Sequence, residues 1–113
     1  MEDCIFCKII EGSIPSQKVY EDEQLIAVRD INPAAPTHVL FIPRKHVATL
    51  NDIGDMPDET LASLLRAAAG VAAEEGVDEE GYRVVINCNR AGGQEIFHLH
   101  VHLLGGRPMG RMG

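Results

Sequence analysis

Short apolar runs recur along the chain between turn-forming residues, and this pattern predicts a sheet accompanied by helices. Five runs rich in Val, Ile, Leu, Phe or Tyr predict five β-strands, over residues 19–22, 24–30, 37–43, 82–88 and 97–104. We expect Pro43 to end the third strand, because proline brings no N–H to a ladder. A short helix is predicted over residues 4–11, and Gly12 is expected to end it.

A longer helix is predicted from near Pro57 to Gly76. Its apolar residues recur at helical spacing, which predicts one buried stripe made of Leu61, Leu64, Leu65, Ala68 and Ala72. Residues 52–80 hold nine acidic side chains against one base, Arg66, and this imbalance favours a solvated outer surface over a partner site.

Length and composition fit one small acidic domain. Ten basic against 17 acidic residues give a formal charge of −7, and 45% of the 113 residues are hydrophobic. The chain is too short for a barrel, a propeller or a two-domain dehydrogenase. The order of elements predicts a single antiparallel α+β domain over residues 1–113, with residues 107–113 as a flexible C-terminal tail.

Charge and hydropathy narrow the choice of partners. A negative chain is a poor general binder of nucleic acid, because such binders need a basic face to displace counterions. No apolar run reaches the roughly 20 residues of a membrane span, and the acidic residues 1–4 are unlike a signal peptide. We therefore expect a cytoplasmic protein with neither nucleic acid nor membrane as partner. Aromatic residues make up 4%, so support from a metal or a partner subunit is expected.

The cysteines are Cys4, Cys7 and Cys88. An odd count and no export signal argue against a disulfide framework. The Cys4-x-x-Cys7 pair is half of a zinc pattern; a thioredoxin-like redox pair is the alternative, which the missing preceding strand disfavours. We expect Cys88 to be a small buried residue.

Three of the five histidines fall within five residues, at His98, His100 and His102. On a strand they share one face, while Leu99, Val101 and Leu103 share the other and face the core. A zinc ion held by all three is disfavoured, because the first and third lie about 13 Å apart on a strand. We therefore expect the three side chains to have different roles.

The segment before this strand suggests a phosphate nearby. Gly92, Gly93 and Gln94 can bring backbone N–H groups together around an anion, although such glycines more often form only a turn. A neutral imidazole beside a phosphate can attack phosphorus and form a phosphohistidine. Asn87 is either an uncharged contact to the same site or a turn cap.

Residues 98–104 match the motif His-φ-His-φ-His-φ-φ, in which φ is apolar, and the chain resembles the histidine triad (HIT) family of nucleotide hydrolases and transferases. The resemblance extends over nearly the whole chain, from residues 4–10 through 30–38 to 104–107. The segments 36–38 and 105–107 are similar to its Hint branch of purine nucleoside phosphoramidases. It implies a five-stranded antiparallel sheet with one long and one or two short helices, and a homodimer with a continuous ten-stranded sheet.

The resemblance also implies a role for each site residue. His100 would be the nucleophile, His102 would contact the phosphate, and His38 would belong to a proton relay behind His100. Asp30 would bind the ribose hydroxyls. The phosphate and leaving-group side would be lined by Asn87, Gly93 and Gln94, and the base pocket by Ile5, Phe6, Ile9, Val28, Ile31 and Leu40.

A subset of the family binds structural zinc, and this chain offers Cys4, Cys7, His46 and His98 in the corresponding places. Such a Cys₂His₂ set is a closed tetrahedral zinc site, and no organic cofactor is implied. Glu95 departs from the Ser of well-studied Hint members, and the tail is shorter than theirs. Both departures concern the leaving group.

These observations predict a hydrolase of purine nucleoside 5′-phosphoramidates that acts through a nucleotidyl-His100 intermediate. One alternative keeps the enzyme and changes the substrate to a dinucleoside polyphosphate. Another is a non-catalytic nucleotide-binding dimer that regulates partners. A zinc hydrolase with the three histidines as ligands is disfavoured by the spacing.

Overall fold

A computed structural model describes residues 3–113, so Met1 and Glu2 of the predicted acidic start lie outside the described residues. Within that range, five strands form one antiparallel sheet in the order β1-β2-β3-β5-β4. The strands are β1 Lys18–Glu21, β2 Leu25–Arg29, β3 Thr37–Pro43, β4 Tyr82–Val85 and β5 Val101–Gly105. The helices are α1 Ile5–Glu11 and α2 Asp58–Glu74, with short 3₁₀ helices at Leu50–Asp55 and Arg90–Gly92. Neither α-helix of residues 3–113 has the length and apolarity to cross a bilayer.

The two faces of the sheet are covered by different helices. Helix α2 packs on one face, where its buried residues meet the inward side chains of β2, β3 and β5. The buried stripe of α2 includes Leu64, as predicted, but Leu65 is 57% exposed. The predicted stripe was therefore wrong at that position. Thr60, Ala67 and Val71 are buried instead, because the small alanines let α2 present a neighbouring face to the sheet.

Helix α1 lies against the opposite face, and both of its ends are fixed. The Cys4 thiol accepts a hydrogen bond from the Cys7 N–H at 3.3 Å and caps the first turn. Gly12 ends the helix in the left-handed region (φ 86°), which a residue with a Cβ adopts at a cost. Phe6 is buried between α1 and the sheet.

The last two strands are shorter than predicted. Strand β4 ends at Val85, so Cys88 is only half-buried in the loop that follows. Strand β5 begins at Val101, because the Leu99 N–H donates to Val47 O (2.8 Å) in the loop after β3 and not to a sheet partner. The alternation of side chains nevertheless continues upstream, since Leu99 is 2% exposed.

The C-terminal tail touches the domain at two places. The Arg83 guanidinium donates to Gly110 O at 2.6 Å and to Arg111 O at 3.4 Å. Arg107 donates to Ala34 O at 2.9 Å. The flexibility of residues 107–113 stays a prediction.

Candidate active site and metal cluster

A cavity of about 470 Å³ opens between α1, the ends of β2 and β3, and the segment leading into β5. One wall is apolar and belongs to α1 and the sheet; the other carries imidazoles, amides and carboxylates. Twelve residues predicted for the site line this cavity: Ile5, Phe6, Ile9, Val28, Asp30, Ile31, His38, Leu40, Asn87, Gly93, His100 and His102.

Gln94 was predicted to line the same side as Gly93, but the structure does not place it in the cavity wall. It is 6% exposed, and its amide serves the backbone. Its Oε1 accepts from the Asn89 N–H (2.8 Å), and its Nε2 donates to Ala48 O (2.8 Å) and Ile96 O (3.0 Å). Gln94 therefore braces the loop that holds Gly93 at the wall.

Several wall residues were not predicted. Ile14, Pro15 and Ser16 follow α1 and form one rim, and the remaining additions are Arg29, Asn32, Glu95 and Ile96. The apolar Ile14 and Ile96 beside turn residues were a weak signal for this surface. Glu95 contributes a carboxylate and is exposed at the cavity.

His100 is a neutral imidazole with one nitrogen directed away from the backbone. Its Nδ1 lies 2.7 Å from His98 O, and because a carbonyl only accepts, Nδ1 carries the proton. Nε2 then holds the lone pair and has no hydrogen-bond partner within residues 3–113. Burial lowers the pKa of His100, and the edge of Phe6 packs against the ring at 4.9 Å between centroids.

A second group of polar side chains lies beside His100. His38 Nε2 is 3.0 Å from His102 Nδ1 and 3.5 Å from Asp30 Oδ2. The ring centroids of His100 and His102 are 4.8 Å apart. Burial lowers the pKa of His102 to about 4, and it also lowers the pKa of His38, which Asp30 partly offsets. All of these side chains line the cavity, so it contains imidazoles of lowered pKa close to the Asp30 carboxylate.

The four predicted metal ligands meet behind α1. Their donor atoms lie within 4.8 Å of one another, with His46 Nδ1 and His98 Nδ1 3.0 Å apart. Cys4 Sγ is 3.3 Å from His98 Nδ1, and Cys7 Sγ is 3.4 Å from His46 Nδ1. Tetrahedral zinc with bonds of about 2.1 Å to nitrogen places two nitrogens about 3.4 Å apart. The donor set is therefore close to zinc geometry.

The orientation of His98 also suits a metal ligand. Its Nε2–H donates to Pro43 O at 2.8 Å, which leaves the Nδ1 lone pair facing the thiols. His98 is fully buried, and burial lowers its pKa to about 4. Burial also raises the pKa of the Cys7 thiol to about 11, with the Cys4 thiol adding to the effect. A cation would be needed to hold Cys7 as a thiolate.

Comparison with known proteins gives consistent matches. A family model described as HIT domain matches residues 11–109. A purine nucleoside phosphoramidase of Escherichia coli (strain K12) is 50% identical over 111 residues, which cover 98% of this chain and 93% of that protein. A 14 kDa zinc-binding protein of Zea mays is 52% identical, covering 93% and 83% respectively. A crystal structure of a HIT family hydrolase from Legionella pneumophila Philadelphia 1 superposes with a TM-score of 0.92 at 54% identity, covering 96% of each chain.

Proposed function

The chain belongs to the HIT domain family and is a hydrolase of the histidine triad type; we propose that its substrates are purine nucleoside 5′-phosphoramidates. The observation that carries the proposal is the hydrogen bond from His100 Nδ1 to His98 O, which leaves a neutral Nε2 as nucleophile at the cavity. The similarity to the Escherichia coli phosphoramidase supports the choice of substrate.

In the proposed reaction, His100 Nε2 attacks phosphorus, a P–N bond to the imidazole forms, and the P–N bond to the leaving amine breaks. Water then attacks phosphorus from the side opposite the imidazole, and the P–N bond to His100 breaks. The amine leaves with a proton taken from the solvent, and the attacking water later releases one proton to the solvent. Over both steps one water is consumed and its hydroxyl stays on phosphorus. His102 and the backbone at Gly93 support the phosphoryl oxygens, where negative charge develops.

We assign the other cavity residues by their chemistry. The apolar wall made by Phe6, Val28 and Leu40 takes the purine, because a flat ring buries its faces best against aliphatic and aromatic side chains. Asp30 accepts hydrogen bonds from the ribose hydroxyls, and Asn87 contacts the phosphate as an uncharged group. Ile5, Ile9 and Ile31 complete the base pocket.

We also propose that Cys4, Cys7, His46 and His98 hold one structural zinc ion. The contact distances and the backbone carbonyl behind His98 support it, and the zinc-binding relative from Zea mays is consistent with it. When bound, zinc stabilises the thiolates and ties α1 to the segment before β5. Elemental analysis of protein purified in the absence of chelator should give about one zinc per chain. A metal-free preparation with reduced cysteines would contradict this assignment.

A homodimer is proposed on the basis of the β4 edge of the sheet. Tyr82, Val84 and Ile86 are each 37% exposed on or beside this edge strand, and Phe97 is 47% exposed. An apolar edge strand is an aggregation hazard unless another strand covers it. Sedimentation equilibrium should give twice the chain mass, and Val84→Lys should shift the equilibrium towards monomer. A monomeric wild-type chain at micromolar concentration would refute the dimer.

The central experiment is to trap the covalent intermediate. The enzyme is mixed with adenosine 5′-phosphoramidate and denatured within milliseconds, and its intact mass is measured. We expect an adduct of one nucleoside monophosphate less water, mapped to His100 and missing in His100→Ala. An adduct on another residue, or steady turnover with no adduct at any time, would contradict the mechanism. A parallel assay with a diadenosine polyphosphate tests the alternative substrate, which we expect to be cleaved more slowly.

A further inference from the structure

The backbone N–H of Ala34 fixes the proton positions of two catalytic-site histidines. It donates to His38 Nδ1 at 3.0 Å. A backbone N–H only donates, so Nδ1 must hold a lone pair and the proton of neutral His38 must lie on Nε2. That Nε2–H lies 3.0 Å from His102 Nδ1 and donates to it. His102 therefore carries its own proton on Nε2.

The loop that presents the Ala34 N–H is held on several sides. Arg107 donates to Ala34 O at 2.9 Å, and the Asp30 N–H donates to His38 O at 3.0 Å. The Asn32 N–H donates to Asp30 Oδ1 at 2.8 Å. A Cβ on Gly106 would come within 2.9 Å of Pro36, so the backbone just after β5 packs directly on this loop. These contacts hold the backbone on both sides of the Ala34 N–H.

This arrangement leaves His38 poorly suited to carry protons. An additional proton on His38 would place an Nδ1–H against the Ala34 N–H, and two donors facing each other leave one buried and unsatisfied. Removal of the Nε2 proton would create an imidazolate beside the Asp30 carboxylate, its one charged neighbour within 3.5 Å. Both changes are unfavourable. The remaining function is to donate a fixed hydrogen bond.

We propose that His38 is a positioning residue and not a proton relay: the Ala34 N–H holds it in the Nε2–H form, and this form holds His102 with its Nε2–H available to the phosphoryl group. The inference rests on the proposed function and changes one role that the resemblance implies. It also makes the cluster of Asp30, His38 and His102 a poor metal site, although these donors lie within 4.8 Å of one another, because the only lone pair on His38 is occupied.

The first test is the tautomeric state of the resting enzyme, which needs no substrate. Two-bond ¹H–¹⁵N correlation spectra of ¹⁵N-histidine protein at neutral pH distinguish protonated from unprotonated ring nitrogens. We expect unprotonated Nδ1 and protonated Nε2 in both His38 and His102. His100 is the internal control, because its carbonyl partner requires the opposite form. A protonated Nδ1 on His38 would overturn the proposal, whether or not the enzyme cleaves phosphoramidates.

The second test compares three substitutions at His38. The oxygen and nitrogen of a Gln side chain can replace Nδ1 and Nε2, so His38→Gln can accept from Ala34 and donate to His102 but cannot pass on a proton. In His38→Asn the amide can reach the Ala34 N–H but not His102, and His38→Ala reaches neither. We expect kcat to fall about 10²-fold in His38→Asn and His38→Ala, the cost of losing one oriented donor at a phosphoryl oxygen, and by less than about tenfold in His38→Gln.

Rescue by glutamine together with an unchanged pH profile would support the positioning role. Loss in His38→Gln as large as in His38→Ala, in variants that keep their thermal midpoint and metal content, would overturn it. If every His38 variant failed to fold, the tautomer measurement on the wild-type enzyme would still decide. If the wild type cleaved no phosphoramidate, the same spectra would still test the hydrogen bonds from Ala34 to His38 and from His38 to His102.

Discussion

The two histidine clusters are built from one short segment, yet they favour different chemistry. His98 and His100 are both buried, both contact Phe6, and both have one ring nitrogen on a backbone carbonyl. They differ in which nitrogen that is: Nε2 of His98 meets Pro43 O, and Nδ1 of His100 meets His98 O. The first leaves Nδ1 among thiols, and the second leaves Nε2 at the cavity.

The backbone group behind an imidazole thus decides what the ring can do. A carbonyl accepts a hydrogen bond from one ring N–H, so the proton stays on that nitrogen and the other nitrogen keeps its lone pair, which suits a ligand or a nucleophile. A backbone N–H, as Ala34 provides to His38, donates to the lone pair of one ring nitrogen, so the other nitrogen carries the proton and acts as a hydrogen-bond donor. Burial alone does not separate these roles, because it lowers the pKa of His98, His100 and His102 alike.

The largest effect that separates the clusters should come from His100→Ala. We expect kcat to fall by at least about 10³-fold, because the proposed nucleophile is lost. Zinc content and thermal midpoint should change little, since His100 contributes no atom to the metal cluster. Steady-state kinetics, elemental analysis and calorimetry on one preparation check this. Simultaneous loss of metal would mean that the clusters are not independent.

The reciprocal substitution is Cys7→Ser, which removes one ligand and leaves the cavity wall intact. We expect the zinc to be lost and the free energy of unfolding to fall by about 3 kcal/mol or more, which lowers the thermal midpoint by roughly 10 °C. The rate should fall far less than in His100→Ala. Cys88→Ser is the matched control, because that cysteine lies outside the metal cluster. Equal zinc content in both serine variants would contradict the assignment of Cys7.

Many bounds of the strands and helices could be predicted, because proline and glycine residues mark where these elements end. Strand β3 has the predicted bounds, since a proline ends its ladder, and Gly12 ends α1. The α2 stripe was wrong at Leu65 because alanines surround it, and in an alanine-rich helix several adjacent faces can pack against a sheet. The start of β5 was placed too early because alternation of side chains continues beyond the hydrogen-bonded ladder.

The site was predictable where side chains carry the chemistry and unpredictable where the backbone does. Histidines at spacing two placed the imidazoles of His100 and His102 in one cavity. Gln94 has a side chain typical of a binding residue, yet its amide forms hydrogen bonds with three backbone groups. The N–H of Ala34 has no signature in the sequence, because every residue except proline has one.

The effect of acid pH on the free energy of unfolding should report on the cluster of His38, His100 and His102. The folded pKa of His102 is about 4, below its unfolded value of about 6.5. Between these values the unfolded chain binds a proton that the folded chain does not, so the free energy of unfolding decreases as pH falls from about 6.5 to 4. With these two values, proton linkage assigns about 3 kcal/mol of that loss to His102 by pH 4.

The contribution can be isolated by comparing wild type with His102→Gln in urea denaturation at several pH values. Acid would also release a metal ion bound at the proposed ligands His46 and His98, but both proteins share those ligands, so that part cancels in the difference. The wild type should lose more stability than the variant on acidification. Parallel curves for the two proteins would mean that His102 has the same pKa in the folded and unfolded chains.

The smallest expected effect concerns Glu95, which lies between the two clusters and lines the cavity. A carboxylate near a substrate phosphate repels it, but an exposed charge is screened by water and salt. Glu95→Gln should therefore lower KM by about two- to threefold at low salt, with kcat little changed, and the gain should vanish near 0.5 M salt, where the Debye length is only about 4 Å. Glu80→Gln removes the same charge outside the cavity wall and serves as control. An equal decrease of KM in both variants would assign the effect to the net charge of −7 and not to the position of Glu95.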